Sequence, residues 1–301
     1  MAALTFATRP SRLARWQTNH IIQQLQEKWD GLTCNEVVIT TQGDKILDTP
    51  LPEIGGKGLF TLELEQALLE GRVDAAVHSL KDLPTDNTPG LTIGVIPLRA
   101  EVVDCLISPA GHTLEDLPSG AVVGTSSLRR QAQILAHRPD LTVQSIRGNV
   151  ETRIRKADDG HYQAVVLAAA GVSRLGLQTH ISQHLPVDVM LPAPGQGALA
   201  VQCRSEDVDT LRFLAALDHQ PTRAAVTAER TLLAALGGGC SLPVGAFAAY
   251  HNDELHLQAV VASVDGQQLI HANAHHHDPL VLGQSLAQTL LSMGAAEVLG
   301  V

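Results

Sequence analysis

The stretch AVVGTSSLRRQAQILAHRPDLTVQSIRGNVETRIRKADDGHYQAVVLAA, residues 121–169, decides the fold. Short runs rich in β-branched residues at Ala121–Gly124, Leu141–Ile146 and Ala164–Ala169 read as buried strands. Between them, Ser127–His137 and Val150–Asp158 place apolar residues three or four apart, the period of a helix with one buried face. Strand, helix, strand, helix, strand is the order of an α/β layer with a largely parallel sheet.

The same grammar extends outward. Upstream, Glu36–Thr41, Val73–Val77 and Leu91–Ile96 read as strands and Lys57–Glu70 as a helix; downstream, Ala198–Cys203 is a strand and Ala224–Leu236 a helix. After about residue 220 the pattern changes. Val244–Tyr250, Glu254–Ser263 and Gln268–Ala274 are joined by the turn-like HND and VDG and followed by a closing helix, which predicts a small antiparallel α+β module. Leu191–Gly197 (LPAPGQG) reads as a hinge or crossover, so a ligand is expected between lobes.

A chain of 301 residues has room for two or three domains. No run approaches the ~20 apolar residues that cross a bilayer, and MAALTFATRP lacks the basic start of a signal peptide, so a cytoplasmic protein is expected. Cys34, Cys105, Cys203 and Cys240 form no CxxC pair, which predicts neither a disulfide framework nor a zinc site. The formal charge of −10 disfavours nucleic acid and anionic membranes as partners, yet seven basic residues face two acidic ones between Arg129 and Lys156. A local anion site in an acidic protein is the reading.

Within AVVGTSSLRR, Thr125, Ser126 and Ser127 stand at a strand-to-helix turn, with Arg129 and Arg130 in the first helical turn. Free backbone N–H groups and the helix dipole attract an anion there, and guanidinium forks orient it. The arrangement recurs at Arg147, Gly148–Asn149, Arg153 and Arg155, which suggests a polyanion; the alternative is that these arginines pair with acidic side chains. In VDAAVHSLKDLP a strand delivers Ser79, Lys81 and Asp82 to a loop, where a fixed carboxylate suits acid, base or cation-stabilising work; a solvated Lys–Asp pair is the plainer reading, and His78 receives no role. GGKGLF, residues 55–60, suggests a mobile lid or an anion loop; no GxxxxGK[ST] string is present. Adjacent histidines at His275–His277 point to opposite faces of a strand, which speaks against a metal site. In ALGGGCSLPVG the helix should end at Gly237, leaving Cys240 beyond the negative end of the dipole: a poor place for a thiolate, but a roomy one for an anchored group, with a buried structural cysteine as the alternative.

Taken together, TRPSRLARWQ, GDKILDTPL, GGKGLF, VHSLKDLP, VGTSSLRRQ, RGNVETR, LAAAGVSRLGL, LPAPGQGALAVQCR, TAERTLLAAL and GGGCSLPVGAFA resemble the porphobilinogen deaminases along nearly the whole chain. The resemblance implies two periplasmic-binding-protein-like α/β lobes with mainly parallel sheets, plus a small α+β C-terminal domain with a three-stranded antiparallel sheet. Domain 1 would be residues 1–97 and 198–215, domain 2 residues 102–191 and domain 3 residues 220–301. It implies a transferase that joins four porphobilinogen molecules head to tail, with loss of ammonia, into hydroxymethylbilane on a dipyrromethane cofactor attached through Cys240. Asp82 would be catalytic, as a stabiliser of positive charge or a proton shuttle. Lys81, Ser79, Thr125, Ser127, Arg129, Arg130, Arg147 and Arg153 would hold the carboxylates of cofactor and growing chain. Arg9, Ser11, Arg174 and Gln196 would meet the substrate, and Lys57 and Phe60 would belong to the lid. A monomer is implied. Glu53 stands where several relatives have lysine, which speaks against a cationic lid contribution there; Gly237 and Pro10 are further departures. The alternative function is a non-catalytic two-lobed receptor for a polycarboxylate or phosphate.

Overall fold

The computed structural model describes residues 2–45, 58–239 and 242–300. In chain order its elements are β1 (Ala3–Thr8), α1 (Arg12–Lys28), β2 (Thr33–Val38), α2 (Gln42–Lys45), α3 (Leu62–Leu69), β3 (Ala75–Ser79), β4 (Leu91–Val95), β5 (Asp104–Ile107), β6 (Val122–Gly124), α4 (Leu128–His137), β7 (Thr142–Gln144), α5 (Val150–Asp158), β8 (Ala164–Ala168), α6 (Ala169–Arg174), β9 (Gln183–Leu185), β10 (Leu199–Arg204), α7 (Val208–Ala215), α8 (Gln220–Ala235), β11 (Val244–His251), β12 (Glu254–Ala262), β13 (Leu269–His276), α9 (Pro279–Ser292) and α10 (Ala295–Leu299). Among the described residues the chain divides into two compact units, one of residues 2–45, 58–100 and 198–223, the other of residues 101–197 and 224–300.

The first unit is built on a sheet of order β2-β1-β3-β10-β4. β1 pairs in parallel with β2 and β3, whereas β10 runs antiparallel to both β3 and β4. Helices cover both faces. Ile21 and Leu25 of α1 pack with Phe6, Val77 and Val201 on one side, and Leu64, Ala67 and Leu68 of α3 pack with Ala7 and Ala76 on the other. α1 and β1 have no counterpart among the expected elements. The buried stripe of α1 includes Gln17 and Thr18 beside Ala14, Ile21 and Leu25, so its apolar period is interrupted.

The second unit contains a sheet of order β7-β6-β8-β5-β9, again with two parallel pairs (β6 with β7 and β8) and two antiparallel ones (β5 with β8 and β9) among the described residues. Alternate residues serve opposite cores: Leu106 and Val166 meet Ile134 of α4, while Cys105, Ile107, Val165 and Leu167 meet Ile154 of α5. Burial on both faces is why these strands read as unbroken apolar runs.

The antiparallel sheet β11-β12-β13 belongs to the same unit. Leu255, Leu257, Ala259 and Val261 of β12 face Leu232 of α8 and Leu282, Leu286 and Leu290 of α9. Asn252 and Asp253, both at positive φ, make the tight turn between β11 and β12, a conformation that Asn and Asp tolerate better than other side chains. The opposite face carries Glu254, His256 and Gln258 of β12 beside His275 and Asn273 of β13, with Val260 buried further along.

Candidate functional site

In the first unit, β1, β2 and β3 run parallel, so their C-terminal ends share one edge of the sheet, where open α/β sheets bind ligands. Arg9 follows β1, and Ser79 ends β3 opposite Leu199 of β10. A single 3₁₀ turn, Leu80–Asp82, then carries Lys81 and Asp82, tied down by the Leu80 N–H donating to the Ala198 carbonyl. Asp82 is exposed, and its carboxylate carries no hydrogen bond or ion pair among the described residues. Ser79 accepts a 2.9 Å hydrogen bond from the buried Gln17, and Ser11 caps α1 by accepting from the Ala14 N–H. His78 is buried with Nε2 unpartnered, and burial pushes it down to about 4, so it is neutral at pH 7.

Arg9 grips Asp44 through two nitrogens, and Asp44 also accepts from the Thr41 N–H and hydroxyl. Burial alone would raise the Asp44 carboxyl; the Arg9 and Thr41 contacts outweigh it and hold it below the usual carboxylate range. The Phe60 ring lies 4.1 Å from the Arg9 guanidinium and fills the space over Gly43, where a Cβ would come within 2.1 Å of it. Lys57 and Glu53 lie outside the described residues.

In the second unit, β6, β7 and β8 are parallel, and the pairing of Asp104 with Ala168 places the start of β5 at the edge where those strands end. Thr125 is held by its N–H donating to the Gln144 carbonyl, and its hydroxyl accepts from the Ser127 N–H. Ser127 caps α4, accepting from the Arg130 N–H. Each hydroxyl uses a lone pair in this role and keeps its O–H to donate. Asn149 caps α5, and Arg153 Nε donates to the Gly148 carbonyl at 2.8 Å. The Arg147 carbonyl accepts from Lys156, and Arg147 itself is half-buried at the same edge. Arg174 donates to the Gly197 carbonyl at 2.7 Å; burial lowers it to about 10, still protonated at neutral pH.

Arg129 and Arg130 point inward. Arg129 donates to Asp104 and the Leu191 carbonyl, at 2.8 and 2.7 Å. Arg130 makes a two-point contact with Asp104, at 3.1 and 2.7 Å, and also reaches the Val166 carbonyl. Gln196, fully buried, donates to the same carboxylate and to the Val102 carbonyl. Asp104 has no exposed surface, yet the two guanidiniums beside it outweigh its desolvation and hold its carboxyl far below the usual range. The expectation that both forks reach out to ligand carboxylates is thereby narrowed, and the alternative of pairing with an acid is met by a buried one. One carboxylate cannot neutralise two guanidiniums. A surplus positive charge remains in a dry setting, and Arg129 Nε, buried, has no hydrogen-bond partner among the described residues. An unneutralised buried charge is costly, and an anion at this turn would offset it.

Three acids that hold the site together escaped the sequence reading: Asp104, Asp44 and Glu229. Glu229 is buried and accepts from the N–H groups of Gly195 (2.6 Å) and Ala248 (2.8 Å), fixing the LPAPGQG crossover to β11. An acid inside the apolar run VVDCLI was the one available signal for Asp104. Cys105 and Cys203 are buried, with thiols pushed up to about 12 and about 11 by burial, so neither is a nucleophile. Cys240 lies outside the described residues; α8 ends at Ala235 and Gly237 takes a left-handed conformation.

These features define an α/β protein with arginines and hydroxyls gathered at the ends of parallel strands. Residues 4–212 match the family described as porphobilinogen deaminase, dipyromethane cofactor binding domain, and residues 223–292 match the porphobilinogen deaminase C-terminal domain. The porphobilinogen deaminase of Brevibacillus brevis is 49% identical over 97% of this chain and 95% of its own length, and that of Desulforudis audaxviator is 52% identical over the same shares. Among solved structures, the methionine binding protein MetQ aligns over 71% of this chain and 89% of its own, with 11% identity and a TM-score of 0.46. The chain belongs to the porphobilinogen deaminase family.

Proposed function

We propose that this chain joins four porphobilinogen molecules, with loss of ammonia, into hydroxymethylbilane on a dipyrromethane primer held through Cys240. The observation that carries the site assignment is the surplus charge at Arg129 and Arg130, with the unpartnered Arg129 Nε. Each pyrrole of such a chain bears two carboxylates, and one placed at this turn would neutralise the excess while accepting from Arg129 and from the hydroxyls of Ser127 and Thr125. The residues present therefore fit the cofactor. When bound, dipyrromethane supplies the pyrrole carbon from which the chain is extended.

Arg147, Arg153 and Lys81 take further carboxylates, and Arg9, Ser11 and Arg174 orient the incoming porphobilinogen, whereas Gln196, fully buried and donating to Asp104, positions that acid instead of meeting the substrate. Asp82 acts on charge. Its uncommitted carboxylate accepts pyrrole N–H groups and steadies the positive charge that develops on porphobilinogen as ammonia departs, an effect that strengthens as substrate displaces water. Asp44 and Phe60 hold the Arg9 guanidinium in one orientation, which lessens the entropy lost when a substrate carboxylate takes it up. This reading carries with it three domains (1–97 with 198–215, 102–191 and 220–301) and a cytoplasmic monomer without a nucleic-acid or membrane partner.

Intact mass with peptide mapping tests the attachment. The purified protein should exceed its sequence mass by one dipyrrole located on Cys240 and should colour with Ehrlich's reagent; an unmodified Cys240 in active protein, or the group on Cys203, overturns the assignment. Asp82→Asn should fold, carry the added mass and lose at least about a hundredfold in turnover. Near-parental product formation by that variant would remove Asp82 from the chemistry.

A further inference from the structure

The face of the β11-β12-β13 sheet turned away from α8 and α9 carries a concentration of imidazoles that the proposed reaction does not use. Register puts His256 of β12 directly opposite His275 of β13, and His251 of β11 opposite Glu254 of β12. The rings of His256 and His275 stack at 5.2 Å, and His251 meets His256 edge-on at 5.5 Å. Glu254 lies two residues before His256 and hence on the same face. Its carboxylate contacts two imidazoles at once: Oε2 is 3.0 Å from His275 Nδ1 and Oε1 is 3.5 Å from His277 Nε2. His276, between them, turns away and accepts a hydrogen bond from the Asp278 N–H. Neighbouring histidines do point to opposite faces, as the sequence indicated. The pair two residues apart, however, lands on the face that already holds Glu254 and His256.

We propose that Glu254, His256, His275 and His277 form a surface site for a divalent transition-metal ion of the zinc, nickel and copper class. Imidazole nitrogen with one carboxylate oxygen is the donor set these ions select, and a hard ion such as magnesium does not. The Glu254 carboxylate already stands beside two of the imidazoles. Metal–ligand bonds of 2.0–2.1 Å in a tetrahedron place ligand atoms about 3.3 Å apart, and each Glu254 oxygen lies at a comparable distance from one imidazole nitrogen, Oε2 from His275 and Oε1 from His277. No group of three donors is gathered round a single point among the described residues, so binding turns the exposed rings about their side-chain torsions. The side chains have room for that adjustment, because His275 and His277 are 60% and 74% exposed. Occupancy would clip β13, which among the described residues pairs only with β12, to its neighbour.

Titration of the full chain with zinc chloride, followed by calorimetry in chelator-free buffer, decides the matter. One saturable binding event per chain is expected, accompanied by a rise in thermal midpoint that magnesium does not reproduce, since a ligand bound only to the native state stabilises it. The double variant His256→Asn/His275→Asn should lose affinity on the order of tenfold or more, whereas His276→Asn should bind as the parent does. Absence of saturable binding, or a double variant that binds zinc like the parent, overturns the proposal. Circular dichroism of the double variant checks that its sheet is intact, as substitution at exposed positions should leave it.

Discussion

At the scale of single residues, the site rests on an acid rather than on the arginines it serves. Arginine is legible in sequence because its planar fork suits carboxylates and little else does so as well. The acid was not legible, since a carboxylate in a four-residue strand has no period or motif of its own, and Asp104 matters only because the pairing of β5 with β8 sets it beside α4. Its removal gives a sharp expectation. Asp104→Asn preserves shape but leaves two buried guanidiniums without a counter-charge, and breaking a buried ion pair in this way costs about 3–5 kcal/mol. The pH dependence should change as well. The native carboxyl titrates below its unfolded counterpart, so the unfolded chain takes up the proton first. The stabilisation is therefore complete above about pH 4 and is lost progressively as pH falls below it. Urea denaturation at pH 7 and at about pH 3 should show the variant far weaker than the parent at neutral pH and the gap narrowing in acid. An unchanged midpoint at pH 7 would mean that Asp104 is not the counter-ion.

At the scale of elements, most of what the sequence reading missed has a physical reason. The helix α1 hides because Gln17 and Thr18 occupy its buried stripe, and β9, with three residues and one of them buried, offers no pattern to detect. Elements with clean periodicity, such as α5 and β12, were readable to within a residue or so, and so was the Gly237 stop of α8. Contacts between elements were not. The turn joining β12 to β13 rests on α4, with Gln131 Nε2 donating to the Val264 carbonyl, and Gly266 sits against the helix backbone at φ +73°. A Cβ at that glycine would approach the Ala132 carbonyl oxygen and the Ala136 nitrogen to 2.6 Å, and neither can yield without lifting the turn off the helix that carries Arg129 and Arg130. Gly111 has nearly the same φ, +75°, but nothing near its vacant Cβ position. Both alanine variants bear the left-handed backbone penalty; Gly266→Ala adds overpacking, typically about 1–3 kcal/mol. Chemical denaturation of the two variants side by side should show that difference. Equal losses would mean that the turn does not bear on α4.

At the scale of the whole molecule, alternation of strand and helix was enough to read two kinds of layer, but the order of strands within a sheet is not written in periodicity. The return of residues 198–215 to the first lobe came from the family resemblance, not from any residue pattern. The structure supplies the physical reason that this return matters: β10 lies between β3 and β4 and is the strand through which β4 joins the sheet. Without it those neighbours would stand two strand spacings apart, about 9.5 Å, too far for any hydrogen bond. Leu199, Val201 and Cys203 would leave the core with it. A fragment of residues 1–100 should therefore fail to fold, despite containing four of the five strands. The pairing of Val201 with Val95 in antiparallel sense brings the exit of β4 and the entry of β10 to the same edge. Replacing residues 101–197 by a short Gly/Ser linker, in a chain ending at residue 223, should consequently restore a cooperative unit, because the linker spans neighbouring strand ends. Far-ultraviolet circular dichroism and urea unfolding distinguish the cases: a single sigmoidal transition is expected for the spliced chain and none for residues 1–100. Cooperative unfolding of the shorter fragment would show that β3 and β4 can pair without β10, and the topological argument would fall.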